Sequence, residues 1–142
     1  MKKFFSVVML SFALVSFAQD QAIKYNQLPK SGQQFINKYF GAKQVGSVML
    51  DEELFSKEYK VYLANGTKVE FDGDGVWKEV DGNRNVIPTG FVPAKVSNYV
   101  KRSFPNTKII KIERDHNEIE VKLNNGLEVK FDRNGNFKKI DD

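Results

Sequence analysis

Carboxylates at every second position make Asp72-Gly73-Asp74-Gly75 the segment of this chain closest in type to a cation-binding loop. An EF-hand loop surrounds calcium with oxygen ligands, bends at a glycine in position 6 and closes with a bidentate glutamate at position 12. Counted from Asp72, the glycine falls at position 4 and position 12 is Asn83. The segment therefore reads as a hairpin turn in which Asp72 accepts backbone N–H groups, with weak calcium binding at Asp72 and Asp74 left open. His116 is the single imidazole, in Arg114-Asp115-His116-Asn117. A general base needs a nucleophile or second base beside it, and the sequence offers none, so a solvated hairpin tip is expected. Asp51-Glu52-Glu53 supplies neighbouring carboxylates, but like charges adjacent in sequence belong on a solvated surface.

The chain has no cysteine, which excludes a disulfide scaffold, a thiolate-held metal, a thiol nucleophile and a lipidated cysteine. No Ser/His/Asp set, phosphate-cradling glycine loop or zinc-binding helix motif occurs. No catalytic residue is assigned, and neither a cofactor nor a metal site is expected. Asn65-Gly66-Thr67 has the form of a glycosylation acceptor, but Asn-Gly is also the preferred dipeptide of a type I′ hairpin turn, which accounts for it.

Aromatic side chains say more. Tyr62 lies out of phase with the apolar Val61 and Leu63, which points it to solvent beside Lys60 and Glu70. Phe55 stands in the Asp51–Lys57 segment near Glu52 and Glu53. Exposed aromatics rimmed by polar groups are anchors of protein contacts; the alternative is that Phe55 and Tyr62 pack on each other or on a linker. Phe55, Tyr62, Lys60, Glu70, Glu52 and Glu53 are the candidate partner-binding residues. Trp77 is expected in the core.

These residues sit in a chain of two vocabularies. Lys2 and Lys3 precede an apolar run from Phe4 to Phe17, and Ser16-Phe17-Ala18 supplies small residues at a cleavage site. Residues 1–18 read as a secretory signal peptide, too short to span a bilayer, which takes about 20 apolar residues. The location expected is periplasmic or secreted, with no membrane anchor after cleavage. Loss of the two lysines lowers the net charge from +4 to +2, and with acidic and basic residues interspersed no nucleic-acid partner is expected. At 41% hydrophobic and 28% charged, the chain is folded and not disordered.

The segment from Val61 to Gly82 aligns without gaps on Val121 to Asp142, ten of 22 positions being identical, among them Asn65/Asn125, Gly66/Gly126, Phe71/Phe131, Asp72/Asp132 and Gly75/Gly135. Upstream, Leu28-Pro29 aligns with Val92-Pro93 and Phe40 with Phe104 at a spacing of 64 instead of 60, so the first copy has four extra residues around Asp51–Lys57. Phe35, Ile36, Tyr39 and Phe40, and likewise Val96, Tyr99, Val100 and Phe104, form helical stripes. Pro29 and Pro93 suit a first helical position, or Ser31 and Gln34 form a capping box. Period-2 segments follow each helix. The predicted fold is α+β: two tandem repeats (28–82 and 92–142, linker 83–91), each a helix followed by a four-strand antiparallel meander, the sheets joined with helices on one face. Each copy alone has too little core to stand independently.

A signal segment followed by two copies of Val-x-Leu-x-Asn-Gly-x-x-Val-x-Phe-Asp-x-x-Gly-x-Trp/Phe-Lys, Val61 to Lys78 and Val121 to Lys138, resembles the PepSY-like secreted proteins described as β-lactamase-inhibitor-like, over residues 28–142. The resemblance implies repeats whose sheets join edge to edge and a protein partner on the concave sheet face, with protease regulation a further implication. The function expected is an exported non-enzymatic protein-binding module, an inhibitor or regulator of an envelope or secreted enzyme; the alternative is an envelope small-ligand or cation carrier. Ser16-Phe17-Ala18 predicts that the exported protein begins at Gln19; intact-mass measurement of natively exported protein is expected to show it, and retained residues 1–18 would contradict it.

Overall fold

A computed structural model describes residues 20–141. The predicted signal segment and its cleavage site lie outside them. The strands are β1 (Asp20–Ile23), β2 (Val45–Glu52), β3 (Lys57–Leu63), β4 (Lys68–Asp72), β5 (Trp77–Asp81), β6 (Ile109–Arg114), β7 (Glu118–Leu123), β8 (Glu128–Asp132) and β9 (Phe137–Asp141). Two ten-residue helices interrupt them, α1 (Lys30–Tyr39) before β2 and α2 (Ala94–Ser103) before β6.

All nine strands form one sheet in sequence order, every neighbouring pair antiparallel. This corrects the predicted α+β architecture of two repeats, each a helix and a four-strand meander. The fold is a single, mostly β sheet with two short helices packed on it. Two observations overturn the prediction. β5 pairs directly with β6 through Glu79↔Glu113, Val80↔Ile112 and Asp81↔Lys111, so where two joined repeat sheets were expected the strands form one continuous nine-strand sheet. β1 adds a strand ahead of either predicted unit, Ile23 opposite Val48; its four residues lack the alternation that would have announced it.

The register places one aliphatic residue of each strand in a single row: Ile23, Val48, Val61, Val69, Val80, Ile112, Val121, Val129 and Ile140. Ile36 of α1 and Val96 and Val100 of α2 are buried with this row in one core. Segment 83–91, predicted as a linker, also reaches inside. Ile87 is buried, and the Phe91 ring lies 5.0 Å from Phe35 and 5.2 Å from Trp77.

The turns differ from expectation in detail. Gly66 has φ +90° while Asn65 has none of the positive φ that a type I′ turn demands, and the Leu63 N–H donates to the Thr67 carbonyl at 2.8 Å. The connection is the longer hairpin that ends on a left-handed glycine, with Asn65 Oδ1 accepting the Thr67 N–H. Pro29 and Pro93 each stand one residue ahead of their helix. No capping box forms at Ser31; its hydroxyl donates to the Asp74 carbonyl at 2.7 Å, tying the β4–β5 turn to the start of α1.

That docking leaves no room at Gly75. Its φ is +78°, and an added Cβ would meet Pro29 Cβ at 2.7 Å and the Gly32 backbone nitrogen at 3.0 Å, whereas Gly126, at φ +91°, faces open space. Gly126→Ala is expected to cost about 1–2 kcal/mol from backbone strain alone. Gly75→Ala adds overpacking, for about 3–5 kcal/mol in all. Denaturant melts of the two variants measure the difference; equal losses would show that the turn does not press on α1.

Candidate functional site

Strand geometry decides which side chains are available. With the aliphatic row and both helices on one face, the residues on either side of each row member point to the other face, which no described element covers. Its central row carries Lys60, Glu70, Glu79, Glu113, Glu120 and Lys130 on six consecutive strands. A parallel row carries Tyr62, Lys68, Asp81, Lys111, Lys122 and Glu128.

Four glutamates side by side would repel, and lysines of the neighbouring row separate them. Glu79, with a side chain only 10% exposed, is held by Lys68 Nζ at 3.5 Å and Lys111 Nζ at 3.1 Å, from the strands on either side. Lys68 also reaches Glu70 at 3.1 Å. Burial works against the charge of both lysines, yet the hydrogen bonds and charges of Glu70 and Glu79 at Lys68, and of Glu79 at Lys111, hold their pKa values above the ordinary range. Burial raises the Glu120 pKa, reinforced by the Glu128 charge and opposed by Lys130. Lys130 bridges Glu118, Glu120 and Asp141.

The structure divides the sequence-predicted binding residues into two groups. Lys60, Tyr62 and Glu70 share the open face, Lys60 opposite Glu70 across β3 and β4, with Lys60 Nζ 3.9 Å from Asp20. Tyr62 is 38% exposed. Glu52, Glu53 and Phe55 lie at the β2–β3 hairpin tip, closed by the Glu53 N–H on the Ser56 carbonyl at 2.9 Å, and Glu52 pairs with Lys57 at 3.6 Å. At about 3.3 Å per residue along β3, the tip lies roughly 20 Å from Tyr62. Phe55 is 98% exposed, so it packs neither on Tyr62 nor on segment 83–91. Its neighbour Leu54, 88% exposed, went unremarked in the sequence. Glu79 and Glu113, central on the open face, were also missed, though their alternation with Val80 and Ile112 was a signal for them. Trp77 is buried as predicted.

The acidic turns behave as turns. Asp72 Oδ1 accepts the N–H groups of Asp74 and Val76 at 2.9 and 3.0 Å, and Asp132 Oδ1 accepts those of Asn134 and Asn136, both at 2.9 Å. Asp115 Oδ1 takes those of Asn117 and Glu118, leaving His116 exposed at the tip. Among the described residues no three His, Asp or Glu side chains are grouped to hold a metal ion.

Comparison with known proteins points one way. The profile of a family described as candidate β-lactamase-inhibitor-like, PepSY-like matches residues 57–139. The chain is similar to a candidate periplasmic protein of the DUF2874 family from Bacteroides vulgatus, at 40% identity and TM-score 0.83 over 87% of this chain and 98% of that one. It is equally similar to a candidate calcium-regulated periplasmic protein from Bacteroides thetaiotaomicron, at 40% identity and TM-score 0.83 over 87% and 97% of the two chains. A second Bacteroides vulgatus protein, described as a candidate periplasmic protein of unknown function, shares 36% identity at TM-score 0.81 over 87% of this chain and all of that one. No curated protein matches the sequence.

The turn carboxylates make stability depend on pH. Hydrogen bonds from Asn117 and Glu118 lower the Asp115 pKa, and those from Asn136 lower that of Asp132. A depressed folded pKa gives stability that is full above the unfolded value, about 4 for aspartate, and is lost as pH falls through the lower folded value. Thermal melts from pH 6 to pH 2 are expected to show the midpoint falling below about pH 4, with a shallower fall in the double variant Asp115→Asn, Asp132→Asn. An unchanged profile in that variant would show that these turns contribute nothing.

Proposed function

The chain belongs to the PepSY-like family, and we propose that it is an exported, non-enzymatic protein-binding module, an inhibitor or regulator of an envelope or secreted enzyme. It works in the periplasm or the medium. Its solved relatives are described as periplasmic, and no described helix is long and apolar enough to cross a membrane.

The supporting observation is the pairing of a bare sheet face with an apolar hairpin tip. Leu54 and Phe55 project into solvent at 88% and 98% exposure, an arrangement that costs hydration free energy unless something covers it. On the open face Tyr62 stands among paired charges. Aromatic and aliphatic anchors supply most of the energy of a protein contact, while a charged surround contributes steering and discrimination. The enzyme inhibited or regulated is met through these anchors, without bond-making by this chain.

A second reading, a cation-binding envelope protein, draws support from the relative described as calcium-regulated. A calcium-dependent rise in melting temperature at micromolar ion would favour it over the first.

In the test, the mature protein captures partners from envelope and secreted fractions, and the captured enzyme is then titrated calorimetrically. Phe55→Ala and Tyr62→Ala are each expected to weaken binding by about 1–3 kcal/mol. Lys101→Ala, exposed on α2 on the other side of the sheet, should leave it unchanged. Full affinity in both aromatic variants would refute the assignment.

A further inference from the structure

The apolar face of the sheet has a cation in it. Alternation along β6 puts Arg114 on the same side as Ile112, in the cross-strand level of Tyr59, Phe71, Trp77, Ile119 and Phe131. Its guanidinium stacks over the Trp77 ring, 3.8 Å from the centroid, and its Nε–H donates to the Trp77 carbonyl at 3.0 Å. No carboxylate lies within ion-pair distance of Arg114, and its Nη hydrogens have no partner among the described residues.

Beside it opens a cleft of about 590 Å³ at the turn end of the sheet. Arg133, from the β8–β9 turn, lines the same cleft, anchored through one Nη to the Asp115 carbonyl and likewise without a carboxylate partner. Burial lowers the Arg114 pKa and so does the Arg133 charge, so two like charges converge there. Two carboxylates also line the cleft, Asp72 and Asp115, but each has an oxygen committed to two backbone N–H groups of its own turn. Lys78 is drawn off to Glu58 at 3.8 Å. His116 lines it too, exposed at its hairpin tip, and the rest of the wall is apolar: Val76, 46% exposed, beside Trp77.

Two guanidiniums with free N–H groups match a carboxylate, which accepts paired, coplanar hydrogen bonds from such forks. The apolar wall within one side chain's reach asks for more than an ion. A C-terminal residue carries its carboxylate and its side chain on the same carbon, whereas Asp and Glu present the carboxylate at the end of a stem with nothing attached. We propose that this cleft binds the C-terminal carboxylate of a peptide or protein ending in an apolar residue, with Arg114 and Arg133 on the carboxylate and Val76 and Trp77 against the side chain. The cleft contains none of the residues assigned to partner binding on the open face and at the Phe55 tip, so substitutions test the two assignments separately.

Trp77 is the only tryptophan and the Arg114 guanidinium lies over its ring, so its fluorescence reports on the cleft. The probe is an N-acetylated tetrapeptide of three alanines and a terminal leucine, titrated into the full mature chain. It is expected to change the emission saturably, while its C-terminal amide, a peptide amide ending in glutamate and inorganic phosphate do not. Arg133→Gln and Arg114→Lys should each weaken binding by at least about tenfold. Arg133 is exposed, so that variant carries the test even if the other unfolds. No saturable change, equal binding of the leucine amide, the glutamate amide or phosphate, or an affinity untouched by Arg133→Gln would each overturn the proposal.

Discussion

A row of nine aliphatic side chains, one from every strand, runs from Ile23 through Val80 and Ile112 to Ile140, and the register that lines them up governs the rest of the molecule. Six of them, Val61, Val69, Val80, Ile112, Val121 and Val129, have no solvent exposure at all. Burying one such side chain stabilises by about 1.5–3 kcal/mol. A slip of one residue in any strand would turn its member to solvent and bring an open-face neighbour, charged in most of the strands, into the core. Constraint is strongest in the middle, where Val80 and Ile112 are both fully buried although β5 and β6 share only three residue pairs, and weakest at the edge, where Ile140 is 42% exposed.

The charged face inherits its order from that row. Cross-strand pairing on its own would not set Glu70, Glu79, Glu113 and Glu120 side by side, because like charges directly opposite destabilise a sheet. Apolar burial on the other side overrules this. Lys68, Lys111 and Lys130 then offset the repulsion, with Glu79 tied to the strands before and after it. Largely buried ion pairs of this kind add little net stability, because the desolvation of both charges offsets much of their attraction. The face is thus a by-product of core register in its positions and free in its residue types, which is where recognition of a partner can be written without disturbing the fold.

Aromatic packing ties the two ends of the chain's topology to the same constraint. Phe35 of α1 meets Phe71, Trp77 and Phe91, and Tyr99 of α2 meets Phe131 and Phe137. Each helix is thereby seated over its own hairpin, and the ground between them falls to Arg114. An arginine there keeps its charge at the cleft while its stem and Trp77 continue the apolar level, the usual way a long cationic side chain covers hydrophobic surface.

Local patterns carried much of this in the amino-acid order. The i, i+2 alternation of Val61-Tyr62-Leu63 and of Ile119-Glu120-Val121 placed strands and faces, including Tyr62 outward, because a strand's side-chain period is a property of its own backbone. The stripes Phe35–Phe40 and Val96–Phe104 placed both helices for the same reason, and Asp72 disclosed its turn through chemistry reaching only four residues. Contacts between segments far apart in sequence left no such trace. Pairing of β5 with β6, which merges the strands into one sheet, depends on two backbone edges meeting in space. β1 is held by Val48 and not by any pattern in Asp20–Ile23. The commitment of Lys68 and Lys111 to Glu79 and the meeting of Arg114 with Trp77 and Arg133 were decided by the register of the assembled sheet, since side chains 37 and 56 residues apart become neighbours only when all the strands between them are in place.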